Sequence, residues 1–216
     1  MKDQEILEEI RRTLEMEAAA VQGILRWIQD EEWVRLVRLL AGHTGRIAVS
    51  GCGTSAMAAR KIAHSLCCIE RPAFFLTPSD AVHGGLGAVQ AGDVCILVSK
   101  GGNTAELLHM LPALQKKGAA VVAVTENRES TLAQAAALVL NVRIEREPCR
   151  FNMLATASTV SVIAAFDAIC IALMQLTGYT RAQFSVIHPG GAVGERLASE
   201  KEVLYNGSMA DESGCF

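Results

Sequence analysis

Aromatic residues are only 5% of the chain, and there is no surplus of basic charge: the formal net charge is -3 and the pI is near 6.0. Without a positive footprint, nucleic acid and acidic membrane surfaces are excluded as partners. A cysteine framework is missing too. Cys52, Cys67, Cys68, Cys95, Cys149, Cys170 and Cys215 fall at irregular spacing, with no C-x-x-C and no partner histidines. That pattern implies buried reduced thiols in a cytosolic, reducing compartment. Residues 1–15, MKDQEILEEIRRTLE, lack the apolar run of a secretory leader: they are charged and helix-patterned, and are not expected to be a signal peptide. The longest apolar stretch, residues 153–177, carries Thr156, Ser158, Thr159, Ser161 and Asp167. It is too polar for a lipid-facing span and fits a buried core or interface helix.

What is abundant is Ala, Val, Leu and Ile. With 50% hydrophobic residues over 216 positions, the chain can build one large core of closely packed helices and buried parallel strands. Residues 3–28 repeat apolar side chains at helical spacing, and a second helix ends at Gly42; both precede the first strand and pack outside the sheet or against another subunit. From Arg46 the pattern alternates. Strands are expected at 46–50, 73–77, 93–99, 119–125 and 138–142, with helices near 55–68, 79–84, 103–117 and 130–136. This predicts an α/β fold, a doubly wound five-stranded parallel sheet with extra N-terminal helices. No repeat or linker divides the chain, so residues 1–198 read as one domain: N-terminal helices over 3–42, an α/β core over 46–198, and a polar, loose tail over 199–216.

Two stretches share one plan. DVCILVSKGGNTAE (residues 93–106) is a buried strand that ends in Ser99, passes Gly101 and Gly102, and starts a helix through Asn103 and Thr104. RIAVSGCGTS (46–55) does the same with Gly51, Gly53, Thr54 and Ser55. Unpaired N–H groups and the helix dipole point the same way at such a helix start, which makes an anion site. With strand order 2-1-3-4-5 the two loops face each other across the crevice at the topological switch point, so hydroxyls and amides on both walls can hold a phosphate monoester. A dinucleotide fold competes, since Gly51, Gly53 and Ala56 match G-x-G-x-x-A. It needs an acidic residue closing the second strand, however, and Glu70 comes too early and Asp80 too late.

Taken together, GCGTSAMAARKIA, SKGGNTAEL, DAVHGGLG, the EPC turn followed by LATAST, and HPGGAVGERL resemble the sugar isomerase (SIS) domain family, most narrowly its arabinose 5-phosphate isomerase branch. The resemblance covers about residues 40–198. It implies an aldose–ketose isomerase that acts on a phosphosugar without cofactor or metal, as a homodimer or homotetramer with sites near subunit boundaries. Branch members often carry a C-terminal pair of CBS modules, which this chain is too short to hold. The branch's catalytic carboxylates fall on Glu106 and Glu147, its catalytic histidine on His188, and its second histidine motif on His83. Moving a proton between adjacent sugar carbons through an enediol requires a carboxylate base at carbon and a group that shuttles protons between oxygens or opens a ring. Glu147 is accordingly expected as the carbon base, His188 as the oxygen or ring-opening acid–base, and Glu106 as the second carboxylate, able to exchange roles with Glu147.

The chain departs from the branch at three places. Thr54 replaces a lysine, Lys100 and Gly101 stand where an uncharged residue and a serine are usual, and Gly85 replaces an aspartate. Lys100 is expected to restore the missing charge from the opposite wall, since lysine is a flexible point charge suited to phosphate. A pentose 5-phosphate is the leading substrate, with a hexose or aminosugar phosphate, or a sensor without turnover, as the other readings.

Overall fold

The computed structural model describes residues 1–192 and 194–196; the tail expected over 199–216, Cys215 included, lies outside the described residues. The chain divides into two compact units, Met1–Leu176 and Thr177–Phe216. The first contains a five-stranded sheet of β1 (Ile47–Gly51), β2 (Ala73–Phe75), β3 (Val94–Val98), β4 (Ala120–Thr125) and β5 (Leu138–Asn141). Every pairing is parallel, as the alternation of patterns predicts, and the order is β2-β1-β3-β4-β5, the common one for a doubly wound sheet. β1 and β3 are buried at every position, which is why they read as unbroken apolar runs.

Side chains alternate between the two faces of the sheet. Ala48, Cys95, Leu97, Val121 and Ala123 share one core with Ala81, Leu107, Leu111, Leu114 and Leu132 from α4 (Pro78–Ala81), α5 (Ala105–Leu108), α6 (Leu111–Lys117) and α7 (Thr131–Ala135). Right-handed crossovers place α3 (Thr54–Cys67), which packs on β1 and β2, on the other face. α8 (Ala157–Thr177) buries Ala157, Ser161, Ala165, Phe166, Ile169, Cys170 and Leu173, and its Asp167 pairs with Lys61 of α3. It is long and apolar enough to cross a membrane by length and composition, yet this row of side chains is committed to the core.

Two helices differ from expectation. The helix predicted over 103–117 is two, α5 and α6, with His109 and Met110 between them. Pro112 explains the break: it has no N–H to continue α5 but suits the first turn of α6. The first helix, α1 (Asp3–Gly23), stops short of residue 28; a 3-10 turn over Ile24–Arg26 follows, then α2 (Asp30–Gly42). None of the α1 side chains is buried.

Candidate active site

The carboxyl ends of β1 and β3 lie side by side, with Gly51 paired to Val98, so the two glycine loops flank one crevice. A cavity of about 20 Å³, large enough for a water molecule, opens there between Ser55, Lys100, Thr125, Ser158 and Thr159. Thr54 is exposed and Ser55 half-buried at the start of α3. In the second loop the Ser99 and Thr104 hydroxyls are 2.7 Å apart, and the Gly102 N–H donates to Ser99 Oγ at 3.0 Å. The Lys100 carbonyl accepts from Thr125 Oγ1 (2.8 Å) and from the Glu126 N–H (3.0 Å). Asn103 Oδ1 accepts the Thr131 N–H at 3.0 Å and so holds the start of α7. The loop backbone is fixed from three sides. Gly101 faces open space, where an added Cβ would meet nothing within 4 Å.

Glu147 is the center of the arrangement. It has 0% relative exposure, which is costly for a carboxylate unless it is paired and hydrogen-bonded. Its Oε1 accepts from Lys100 Nζ at 2.7 Å and from the Ser158 hydroxyl; its Oε2 accepts the N–H groups of Thr156 (3.1 Å) and Ser158 (3.3 Å). Ser158 lies in the first turn of α8 and Thr156 just before it, so Glu147 caps that helix, where a negative charge favors the dipole. The turn carrying it is held by Asn152, which adopts φ +56° and accepts the Glu147 N–H on Oδ1 at 2.6 Å. From α1, Arg12 donates to the Pro148 carbonyl at 2.8 Å.

Burial pushes the Glu147 carboxyl up, but the Lys100 ammonium, the Ser158 hydroxyl and the Thr156 and Ser158 N–H groups outweigh it and hold the group below its ordinary value of 4.5. Nearby, burial raises the Glu126 carboxyl against the pull of Lys100 and Arg143, with Glu147 raising it further. A depressed folded value means that Glu147 contributes stability above pH 4.5, and that this contribution disappears as pH falls through the folded value. The difference in melting temperature between the wild type and Glu147→Gln is therefore expected to be largest near neutrality and to shrink below pH 4.5, as scanning calorimetry at several pH values would record. A constant difference would show that the ionized form is not favored by folding.

Glu106 is exposed in the first turn of α5. Its charge reaches the first loop, where burial and then Glu106 raise the Cys52 thiol. His83 is exposed just after α4. The aspartate replaced at Gly85 would not fit, because a Cβ there would lie 2.8 Å from the Asp80 carbonyl oxygen. His188 belongs to the second unit, where it follows α9 (Arg181–Ile187); its Nδ1 lies 2.9 Å from the Phe184 carbonyl and its ring stacks on Phe184 at 3.8 Å. The first unit thus brings together Lys100, Glu147 and the two loops. Sequence reasoning missed Ser158, Asn152 and Glu126. LATAST held the signal for Ser158, a hydroxyl at a helix start 11 positions after an acid, whereas Asn152 and Glu126 carry no motif. Among the described residues, no three His, Cys, Asp or Glu side chains cluster as metal ligands.

A parallel sheet of this order, with paired glycine loops at its switch point and a buried carboxylate beside them, is the framework of a SIS domain. The SIS domain family matches residues 40–172, and the chain belongs to it. Arabinose 5-phosphate isomerase KdsD of Pseudomonas aeruginosa is 37% identical over 192 residues, covering 89% of this chain and 59% of that protein. GutQ of Escherichia coli K12, also an arabinose 5-phosphate isomerase, is 35% identical, with 88% and 59% covered. The chain spans about three fifths of the length of these curated relatives. Among solved structures, a candidate sugar-phosphate isomerase from Listeria monocytogenes superimposes with a TM-score of 0.87 at 52% identity, covering 88% of this chain and all of that one. An Escherichia coli CFT073 protein in complex with arabinose 5-phosphate gives 0.84 at 32% identity, with the same coverage.

Proposed function

We propose that this SIS domain isomerizes a phosphosugar between aldose and ketose forms, without a cofactor, and that the substrate pair is a pentose 5-phosphate such as arabinose 5-phosphate and ribulose 5-phosphate. The observation that carries this reading is the buried Glu147 carboxylate at the wall of a crevice built from two anion loops. The loops hold the phosphate, Glu147 removes the proton from the carbon next to the carbonyl to give an enediol, and His188 moves protons between the oxygens or opens the ring. Glu106 is the second carboxylate, and His83 belongs to the substrate site. Similarity to arabinose 5-phosphate isomerases and to a protein solved with arabinose 5-phosphate supports the substrate class. The HPGG motif extends the functional domain to residue 198, and cytoplasmic residence follows from the same reading. A sensor without turnover is the second reading, favored by the four donors that already occupy the Glu147 oxygens.

The test is incubation with pentose, hexose and aminosugar phosphates in deuterated water, watching C2. Exchange with arabinose 5-phosphate is expected. Binding of a sugar phosphate with no exchange from any member of the panel would turn the reading to the sensor.

The same proposal includes self-association as a homodimer or homotetramer. α1 leaves Ile6, Leu7, Ile10 and Leu14 between 44% and 61% exposed, an apolar stripe that an isolated domain has little reason to keep. A groove of about 460 Å³ between α2 and α8, lined by Trp33, Val34, Ile169 and Leu176, is a second apolar surface. Light scattering is expected to give a multiple of 23.1 kDa, and the double replacement Ile10→Asp, Leu14→Asp to give a smaller species. A wild-type monomer would rule this out.

A further inference from the structure

Lys100 is expected from the sequence to face phosphate, yet its Nζ sits 2.7 Å from Glu147 Oε1, on the residue proposed as the base. The pair is asymmetric. Glu147 is 0% exposed and cannot follow its partner, whereas the Lys100 side chain is 37% exposed and can swing. The Lys100 backbone is fixed: Thr125 Oγ1 and the Glu126 N–H both hold its carbonyl. Motion is therefore confined to the side chain, which pivots in the middle of the anion loop between Ser99 and open Gly101. Releasing Lys100 does not strand the carboxylate, because Ser158 stays on Oε1 and the Thr156 and Ser158 N–H groups stay on Oε2.

We propose that Lys100 is an exchangeable counter-ion that passes from Glu147 to the phosphate of the incoming sugar, so that substrate binding and release of the base are one event. This rests on the phosphosugar reading of the site. A dianionic phosphate draws the ammonium more strongly than a single carboxylate does, and its arrival supplies the contact that Lys100 gives up. The base is then weak while it holds Lys100 and stronger once the substrate is seated. The charged groups around the pair are Glu126, which competes for Lys100, and Arg143, whose field reaches Glu126.

The test follows the titration of Glu147 by carbon NMR on protein labeled at the glutamate carboxyls, with and without saturating sulfate, a phosphate stand-in that stays dianionic through the acid range in which a carboxylate titrates. The resonance is assigned by its loss in Glu147→Gln or, should that variant not fold, by its displacement in Glu147→Asp. In the wild type, sulfate is expected to raise the midpoint by about one pH unit or more, the effect of losing a close opposite charge. Lys100→Met, or Lys100→Gln as a second neutral variant, is expected to show the raised midpoint before any sulfate is added. The proposal is overturned if sulfate does not bind, or if the sulfate-bound wild type titrates well below the neutral variants, which would mean that Lys100 stays on Glu147. Failure of the isomerase reading looks different: no sugar phosphate would exchange deuterium, while sulfate would still move the Glu147 midpoint.

Discussion

Glu147→Gln is expected to lower the rate of deuterium exchange at C2 by about 10³-fold, within the range of 10² to 10⁴ that a positioned general base contributes, while sugar-phosphate binding persists. The substitution keeps the volume of the side chain and leaves an amide oxygen able to accept from the Thr156 or Ser158 N–H. What it removes is the basic oxygen and the charge that faces Lys100. Because Lys100 is partly exposed, it can turn to water, so the cost in stability should be modest, about 1–3 kcal/mol. The two readouts separate chemistry from folding. A variant that binds sugar phosphate and is folded at room temperature but retains wild-type exchange would move the base to Glu106 or His188.

Gly102→Ala is expected to be the most damaging single substitution in the glycine loop after β3, costing about 2–5 kcal/mol from a left-handed conformation forced on a non-glycine residue together with overpacking. Gly102 has φ +71°, and a Cβ on it would lie 2.0 Å from Ser130 Oγ and 3.0 Å from Thr125 Oγ1. Both neighbors are committed, Ser130 to capping α7 and Thr125 to the Lys100 carbonyl, so neither can move aside without loss elsewhere. Urea denaturation would record the shift in midpoint. Gly101→Ser serves as the control, since nothing lies within 4 Å of its Cβ, and it should unfold within about 0.5 kcal/mol of the wild type. Equal destabilization by both variants would show that the loop is not packed as described.

Much of the fold was legible because parallel strands buried on both faces leave continuous apolar runs, and because glycine and hydroxyl residues after β1 and β3 fix where the crevice must be. The alternation of patterns implies only the parallel sheet; the strand order expected is the common doubly wound one, and it matches what is observed. Pro112 was visible in the sequence, but the helical periodicity on either side of it concealed the break between α5 and α6. The site was legible only in part. Glu147 was selected by resemblance rather than by chemistry, because in sequence it is one acid in a cluster with Arg143, Glu145, Arg146 and Arg150. Its burial depends on partners brought in by the sheet and by α8, which no local pattern encodes. Lys100 was singled out as unusual, and its ion pair with Glu147 bridges two loops 47 positions apart. Asn152 and Ser158 reach Glu147 from 5 and 11 positions away, but no motif marks the turn that brings them together.

The contact from Arg12 to the Pro148 carbonyl ties the outermost helix to the residue next to the proposed base. α1 buries no side chain of its own, and helices in proteins draw most of their stability from packing an apolar face, so whatever covers its apolar stripe also steadies the turn that aims Glu147. If a second copy of the chain supplies that cover, turnover per chain becomes a function of protein concentration. Dilution would then act as an off switch that works by loosening the turn under Glu147.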